Sequence, residues 1–309
     1  MNPIPIACVY GSPLTDLADV PAGSAQVSPL VPGSTALEHL PDASLDRFVI
    51  AAPPGTVERR YALAQALRAL KPGAPLIAMA PKDKGGARLK KELQTFGCEV
   101  FEEGRRHQRL CETTRPETLS GLEAAMAAGG LHKVEALDLW SQPGLFSWDR
   151  PDPGTLLLIE TLKSAGHLLS GKGVDLGCGP GLLARYVLSH KGVTRLDLVD
   201  LDRRAVEAAR RNFEGEPRAA IHWADAREAL PLEGLDFVVM NPPFHDSGAE
   251  DQALGQAFIR RAYQLLRKGG TTWLVANRHL AYEGVLTPLF ASVALKAEAG
   301  GFKVYEARR

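Results

Sequence analysis

Between Val174 and Ala184 the chain reads VDLGCGPGLLA, an apolar run that halts at Gly177, Gly179 and Gly181 and restarts with helix-forming residues. This segment restricts the fold more than any other. Glycine accepts positive φ and lets another group approach the backbone closely. The helix that follows presents unpaired N–H groups and the positive end of its dipole. A strand, a glycine turn and a helix in that order open an α/β unit, and such units bind ligands at the carboxyl edge of the sheet.

The rest of the second half repeats the alternation. Strands are expected at 173–177, 195–200, 219–223, 235–241 and 271–277, and helices at 181–190, 203–213 and 251–267. In the second helix Ala205, Val206, Ala209 and Phe213 recur on one face. Gly269 and Gly270 read as the stop of the third helix. VALKAEAGGFKVYEA reads as a hairpin around Gly300 and Gly301, which makes the last strand antiparallel. The fold class is α/β, with a doubly wound, Rossmann-like sheet.

The first half echoes the second. DRFVIAAPPG (46–55) resembles LDFVVMNPPF (235–244), and QALRALKPGAPLIAMAPK (65–82) resembles RAYQLLRKGGTTWLVANR (261–278). Both run strand, Pro-Pro, helix, Lys-x-Gly, strand. Pro-Pro and Lys-Pro-Gly are common turn signals, so chance is the competing account; a duplicated fold is the favoured one. The first copy has Ala52 where the second has Asn241, and it has no glycine-rich turn after an opening strand. It therefore reads as unable to bind a cofactor or catalyse. A length of 309 residues suits two domains, here 1–135 and 136–309. The first 45 residues resemble nothing identifiable.

Composition excludes several classes. A hydrophobic fraction of 45% supports real cores, and a net charge of zero gives no global pull toward polyanions. Cys8, Cys98, Cys111 and Cys178 form no CxxC pair and no cluster with histidine, so neither a disulfide framework nor a zinc site is expected. No apolar run approaches a membrane span and no signal segment is evident. A soluble, cytoplasmic protein is expected.

Four places carry chemistry. The glycine turn belongs to the pattern D-x-G-x-G-x-G, headed by Asp175. An acid there repels a pyrophosphate but suits the ammonium of an amino-acid moiety, as in S-adenosylmethionine. Asp200 follows Gly177 by 23 residues, the spacing at which an acid bonds a ribose diol. Asp202 competes for that role, although it is better placed to cap the next helix. Asp225 follows the third strand and can accept from an adenine amine, or serve as a cap or a loop acid. Asn241-Pro242-Pro243-Phe244 ends the fourth strand. A planar amine is a poor nucleophile because its lone pair is delocalised. The Asn241 side-chain oxygen and the Pro242 carbonyl can accept both of its hydrogens and aim its lone pair. The prolines stiffen the loop, and Phe244 can stack on a base.

These residues resemble the class I S-adenosylmethionine methyltransferases that act on planar amines. QPGLFSWDRPDPGTLLLIETL (142–162), NPPFHD (241–246) and GFKVYEA (301–307) narrow the resemblance to the small-subunit ribosomal RNA guanine-N2 methyltransferases, the RsmC type. The resemblance implies a degenerate methyltransferase-like domain over 1–135, serving RNA recognition or scaffolding, and a catalytic domain over 136–309. It implies that Asp175, Gly177, Gly179 and Gly181 hold the methionine end, Asp200 the ribose and Asp225 the adenine. Asn241 and Pro242 hold the amine and Phe244 packs on the guanine. Thr155 lies where the family lines the cofactor's carboxylate, and Phe146 and His245 line the base pocket. The substrate implied is 16S rRNA or the small ribosomal subunit. A monomer is compatible with this reading.

Residues 82–109 hold eight Lys/Arg and five Asp/Glu, a net of +3, and either contact RNA phosphates or form a solvated face. Arg203, Arg204, Arg210 and Arg211 are expected on an exposed helix face. The implied reaction is direct transfer of a methyl group to guanine N2, without a metal ion or a covalent intermediate. Cys178 lies inside the cofactor turn and is not read as a nucleophile. Two other readings remain: methylation of another planar amine (adenine N6 or a protein glutamine), and a non-catalytic ribosome-assembly factor.

Overall fold

A computed structural model of the chain describes residues 6–165, 169–243, 245–246, 249–250 and 252–309. The chain divides into two compact units, Met1–Gly130 and Leu131–Arg309.

The first unit runs β1 (Ala7–Tyr10), β2 (Ala25–Gln26), β3 (Arg47–Ala51), α1 (Thr56–Ala69), β4 (Pro75–Pro81), α2 (Leu89–Thr95), β5 (Phe101–Arg105), β6 (Gln108–Thr114) and α3 (Leu122–Gly129). Its sheet has the order β2-β1-β3-β4-β6-β5. Neighbours from β2 to β4 pair in parallel, and the β5–β6 hairpin adds antiparallel pairing. Successive residues of a strand face opposite ways. Phe48, Ile50 and Leu76 therefore meet Leu63 and Leu67 of α1 and Leu93 of α2 on one face. Val49, Met79 and Leu110 meet Leu17, Ala18 and Val20 on the other. The strand β1, inside the stretch that the sequence left unplaced, lies within the sheet. Four residues are too few to display a period.

The second unit opens with a hairpin, β7 (His132–Val134) and β8 (Leu139–Ser141). Then follow α4 (Pro153–Ala165), β9 (Gly171–Leu176), α5 (Leu182–Leu188), β10 (Val193–Asp200), α6 (Arg203–Asn212), β11 (Ala219–Trp223) and β12 (Leu235–Met240). A short pair, β13 (His245–Asp246) and β14 (Ala249–Glu250), precedes α7 (Gln252–Leu265), β15 (Leu266–Asn277), α8 (Glu283–Leu289), β16 (Ser292–Ala299) and β17 (Phe302–Arg308). The main sheet has the order β11-β10-β9-β12-β15-β17-β16. Its first five members pair in parallel, and β17 is antiparallel to both β15 and β16. The mixed α/β class and the closing antiparallel hairpin agree with expectation.

Both faces of this sheet are buried, as its near-continuous apolar strands require. Val174, Leu176, Val238 and Met240 pack with Ile259 and Ala262 of α7 and Leu286 of α8. Leu196, Leu198 and Val239 pack with Leu158 of α4, Val187 of α5 and Ala209 of α6 on the other face.

Two expectations fail. Gly269 and Gly270 do not end a helix: α7 stops at Leu265, and both glycines lie inside β15, whose register against β12 shifts between Leu235 and Phe237. Glycine fits an irregular strand as well as a helix stop. Arg203 and Arg204 are not exposed either, at 6% and 5% of their full accessibility. Arg203 pairs with Glu207 and Arg204 with Asp202. Ala205 and Ala208 of α6 pack with Leu145, Leu131 and Trp148, so the segment before α4 covers part of this helix.

Candidate active site

The adjacent parallel strands β10, β9 and β12 end together at Asp200, Leu176 and Met240. Their carboxyl edge therefore gathers the glycine turn, Asp200 and Asn241. The turn leaves β9 with Gly177 and Cys178 donating backbone N–H groups to the Val199 carbonyl at 2.8 and 3.1 Å. Gly179 has φ +55° and, among the described residues, nothing within 4 Å of where a Cβ would stand, so the backbone there is open to a close-approaching group. Gly181, at φ +98°, caps α5, and a Cβ on it would lie 2.4 Å from the Phe213 ring. Pro243 Cδ lies 3.9 Å from the Cβ position of Gly177, which sets the Pro-Pro loop against the glycine turn.

Alternation along β9 sends Val174 and Leu176 into one core and Asp175 to the opposite face. Asp175 is 1% exposed, and its Oδ2 is buried with no hydrogen-bond partner among the described residues. Burial first, then the nearby Asp200 carboxylate, pushes the Asp175 carboxyl up to about 8, against one N–H from Ala184. An unpartnered buried carboxyl oxygen invites a cation.

Asp200 accepts from Gly179 N–H through Oδ2 and from Asp202 N–H through Oδ1, both at 2.8 Å. These bonds tie the ends of β9 and β10 together. Burial raises the Asp200 carboxyl to about 6. Asp202 caps α6 by accepting from Arg204 N–H at 2.9 Å. Asp225 follows β11 and accepts from the Arg227 N–H and guanidinium at 2.7–2.9 Å. That ion pair and those hydrogen bonds hold its carboxyl below the usual carboxylate range despite partial burial. Cys178 is buried, and burial and the Asp200 and Asp175 carboxylates push its thiol well above its ordinary value. A thiol so held is a poor nucleophile.

Asn241 sits one residue past β12. Its Nδ2 donates to Asp152 Oδ2 and to Thr155 Oγ1, both at 2.9 Å. Asp152 is buried and stands just before Pro153, the first residue of α4, where its Oδ2 accepts from Thr155 N–H at 2.7 Å. Asp152 is not among the residues expected above. The signal was present in DPGT, an N-cap acid before a proline at the first helical position. Thr155, expected beside a cofactor's carboxylate, is buried and bonded to Asp152 and Asn241. Pro242 is buried in the same turn. Phe146 is 61% exposed on the segment before α4. Phe244 lies outside the described residues, and of His245 only the backbone, in β13, is described.

S-adenosylmethionine fits this edge. The orphaned Asp175 oxygen suits its ammonium, the open backbone at Gly179 admits its close approach, and Asp200, fixed by two backbone amides, suits a ribose diol.

Comparison with known proteins places this edge in context. The methyltransferase small domain family matches residues 136–306. The ribosomal RNA small subunit methyltransferase C of Pseudomonas fluorescens is 32% identical over 279 residues, spanning 87% of this chain and 81% of that one. The protein of the same name from Pseudomonas aeruginosa is 31% identical over 303 residues, spanning 92% and 86%. Among solved structures, the T. thermophilus 16S rRNA N2 methyltransferase RsmC in complex with AdoMet and guanosine superposes with a TM-score of 0.74 at 26% identity. It covers 88% of this chain and 75% of that one.

Proposed function

The chain belongs to the methyltransferase small domain family, among the small-subunit ribosomal RNA methyltransferases C, and from that premise we propose that it transfers a methyl group from S-adenosylmethionine to N2 of a guanine in 16S rRNA. The observation that carries the reading is the Asn241 amide, anchored through its nitrogen at the strand edge that also holds Asp175, Asp200 and the glycine turn.

When bound, the cofactor supplies an electrophilic methyl on a sulfonium. The chain does the positioning. Asp175 pairs with the ammonium, Asp200 accepts from the ribose hydroxyls, and Asp225 accepts from the adenine amine, which competes with Arg227 for its oxygens. Asn241 Oδ1 and the Pro242 carbonyl accept the two hydrogens of the target amine and direct its lone pair. Phe244 stacks on the guanine, with Phe146 and His245 as pocket walls. Thr155 lines the cofactor's carboxylate end, and its hydroxyl, which donates to Asp152 and accepts from Asn241, links that end to the amide. Catalysis of this kind rests on orientation and hydrogen bonding.

The domain from 136 onward is the catalytic one, and 1–135 is a degenerate methyltransferase-like domain. Removing β11 from the order of the second sheet leaves β10-β9-β12-β15-β17-β16, which corresponds strand for strand to β2-β1-β3-β4-β6-β5. The two Pro-Pro segments then follow corresponding strands, β3 and β12. The basic window 82–109 contacts RNA phosphates, and the enzyme acts in the cytoplasm on 16S rRNA or the small subunit.

The test is radiolabelled methyl transfer to unmodified small subunits and to naked 16S rRNA, followed by nucleoside analysis. Label in N2-methylguanosine is expected. Label in methyladenosine or only in protein replaces the substrate; no label in any acceptor despite measured cofactor binding favours an assembly factor.

A further inference from the structure

The Asn241 amide is useful only in one of its two orientations. Its terminal torsion is intrinsically broad, so an outside partner must choose. Asp152 Oδ2 accepts from the Thr155 N–H at 2.7 Å, from the Thr155 hydroxyl at 3.1 Å and from Asn241 Nδ2 at 2.9 Å. Having given its hydrogen to Asp152, the Thr155 hydroxyl accepts the second amide hydrogen, also at 2.9 Å. Both hydrogens of the amide are thus used. Turned over, the amide would set Oδ1 against the Asp152 carboxylate oxygen, and the Thr155 hydroxyl could meet it only by giving up its own bond to Asp152. The whole cluster is at least half-buried, where such a mismatch is costly.

Resting on the amine-methylating reading above, we propose that Asp152 is a positioning residue: it locks Asn241 so that Oδ1 faces the incoming amine. The same oxygen caps α4, so the helix and the amide are set by one group. The negative charge behind the NH2 also polarises the amide and strengthens Oδ1 as an acceptor.

If Asp152 only capped the helix, serine would serve as well, since serine and aspartate are comparable N-caps. Serine is too short to reach Asn241. The experiment measures single-turnover methyl transfer, cofactor affinity and exchange of the Asn241 side-chain NH2 protons for wild type, Asp152→Ser and Asp152→Asn. Asparagine can keep an acceptor oxygen at the Oδ2 position, while losing the charge and exchanging the other oxygen for an NH2. Asp152→Ser is expected to slow transfer about 100-fold, with cofactor affinity kept and faster exchange of the amide protons. Asp152→Asn should recover most of the rate and the protection. Transfer by Asp152→Ser within about threefold of wild type, or unaltered exchange, overturns the assignment. Exchange is read without turnover, and a wild-type protein that labels adenine instead of guanine would sink the substrate reading while leaving the Asp152 effect intact.

Discussion

The chain makes a Pro-Pro turn after β3 and again after β12, and fills the space around it differently. After β12 an amide is held by its nitrogen, which donates to Asp152 and Thr155. After β3 the residue in that place is Ala52, and Arg59 donates to the Pro53 and Pro54 carbonyls at 3.2 and 2.7 Å. Arg59 is fully buried and forked onto Glu92 through two bonds of 2.7 Å. A Cβ on Gly85 would lie 2.1 Å from its guanidinium, so the space beside that turn is already occupied by the chain itself. One backbone pattern can therefore be a working edge or a sealed one, and a few side chains beyond the turn decide which.

The contrast predicts where substitutions act. Arg59→Ala strands the buried Glu92 carboxylate, and should cost about 3–5 kcal/mol of stability in denaturant unfolding. Cofactor affinity of the folded protein should not change. A loss below about 1 kcal/mol, the range of surface pairs, would mean that the seal is not structural. Asn241→Ala should do the reverse. Transfer should fall about 10²- to 10³-fold (~2.7–4 kcal/mol) with cofactor binding intact, and a near wild-type rate removes Asn241 from the chemistry.

Asp175 gives a smaller effect with a defined sign. With its carboxyl near 8 in the free protein, Asp175 is mostly protonated at pH 7. An ammonium favours the ionised form, so cofactor binding should release close to one proton at pH 7, and affinity should rise with pH until about 8. A carboxyl raised above its unfolded value also makes the free protein lose stability as pH climbs from the ordinary carboxylate range toward about 8. Titration calorimetry in buffers of different ionisation enthalpy reads the proton directly. Asp175→Asn should abolish its release and weaken binding by about 1.5–3 kcal/mol. Last and smallest, Lys82→Ala in the first unit should lower the salt slope of RNA binding by about one and leave cofactor affinity alone. An unaltered slope would favour a solvated face.

The sequence made the second unit more legible than the first for physical reasons. Its strands are long enough to show a period, and Asp175, Asp200 and Asn241 announce themselves by spacing from a glycine turn. Burial of Arg203 and Arg204 was invisible in a helix pattern that marks both as polar, although neighbouring Ala205 and Ala208 are covered by Leu131, Leu145 and Trp148, far along the chain. Asp152 lies 89 residues from the amide it holds, and Arg59 lies 33 from Glu92, so no local pattern joins either pair. In the first unit β1 and β2 have four and two residues, too few to signal a strand.

The Arg59–Glu92 lock bears on how such a chain can drift. Exchanging either partner alone passes through a protein with an uncompensated charge in its interior; exchanging both together need not. The two positions therefore sit on opposite sides of a fitness valley. A change that opened the turn after β3 would therefore need both positions to move together.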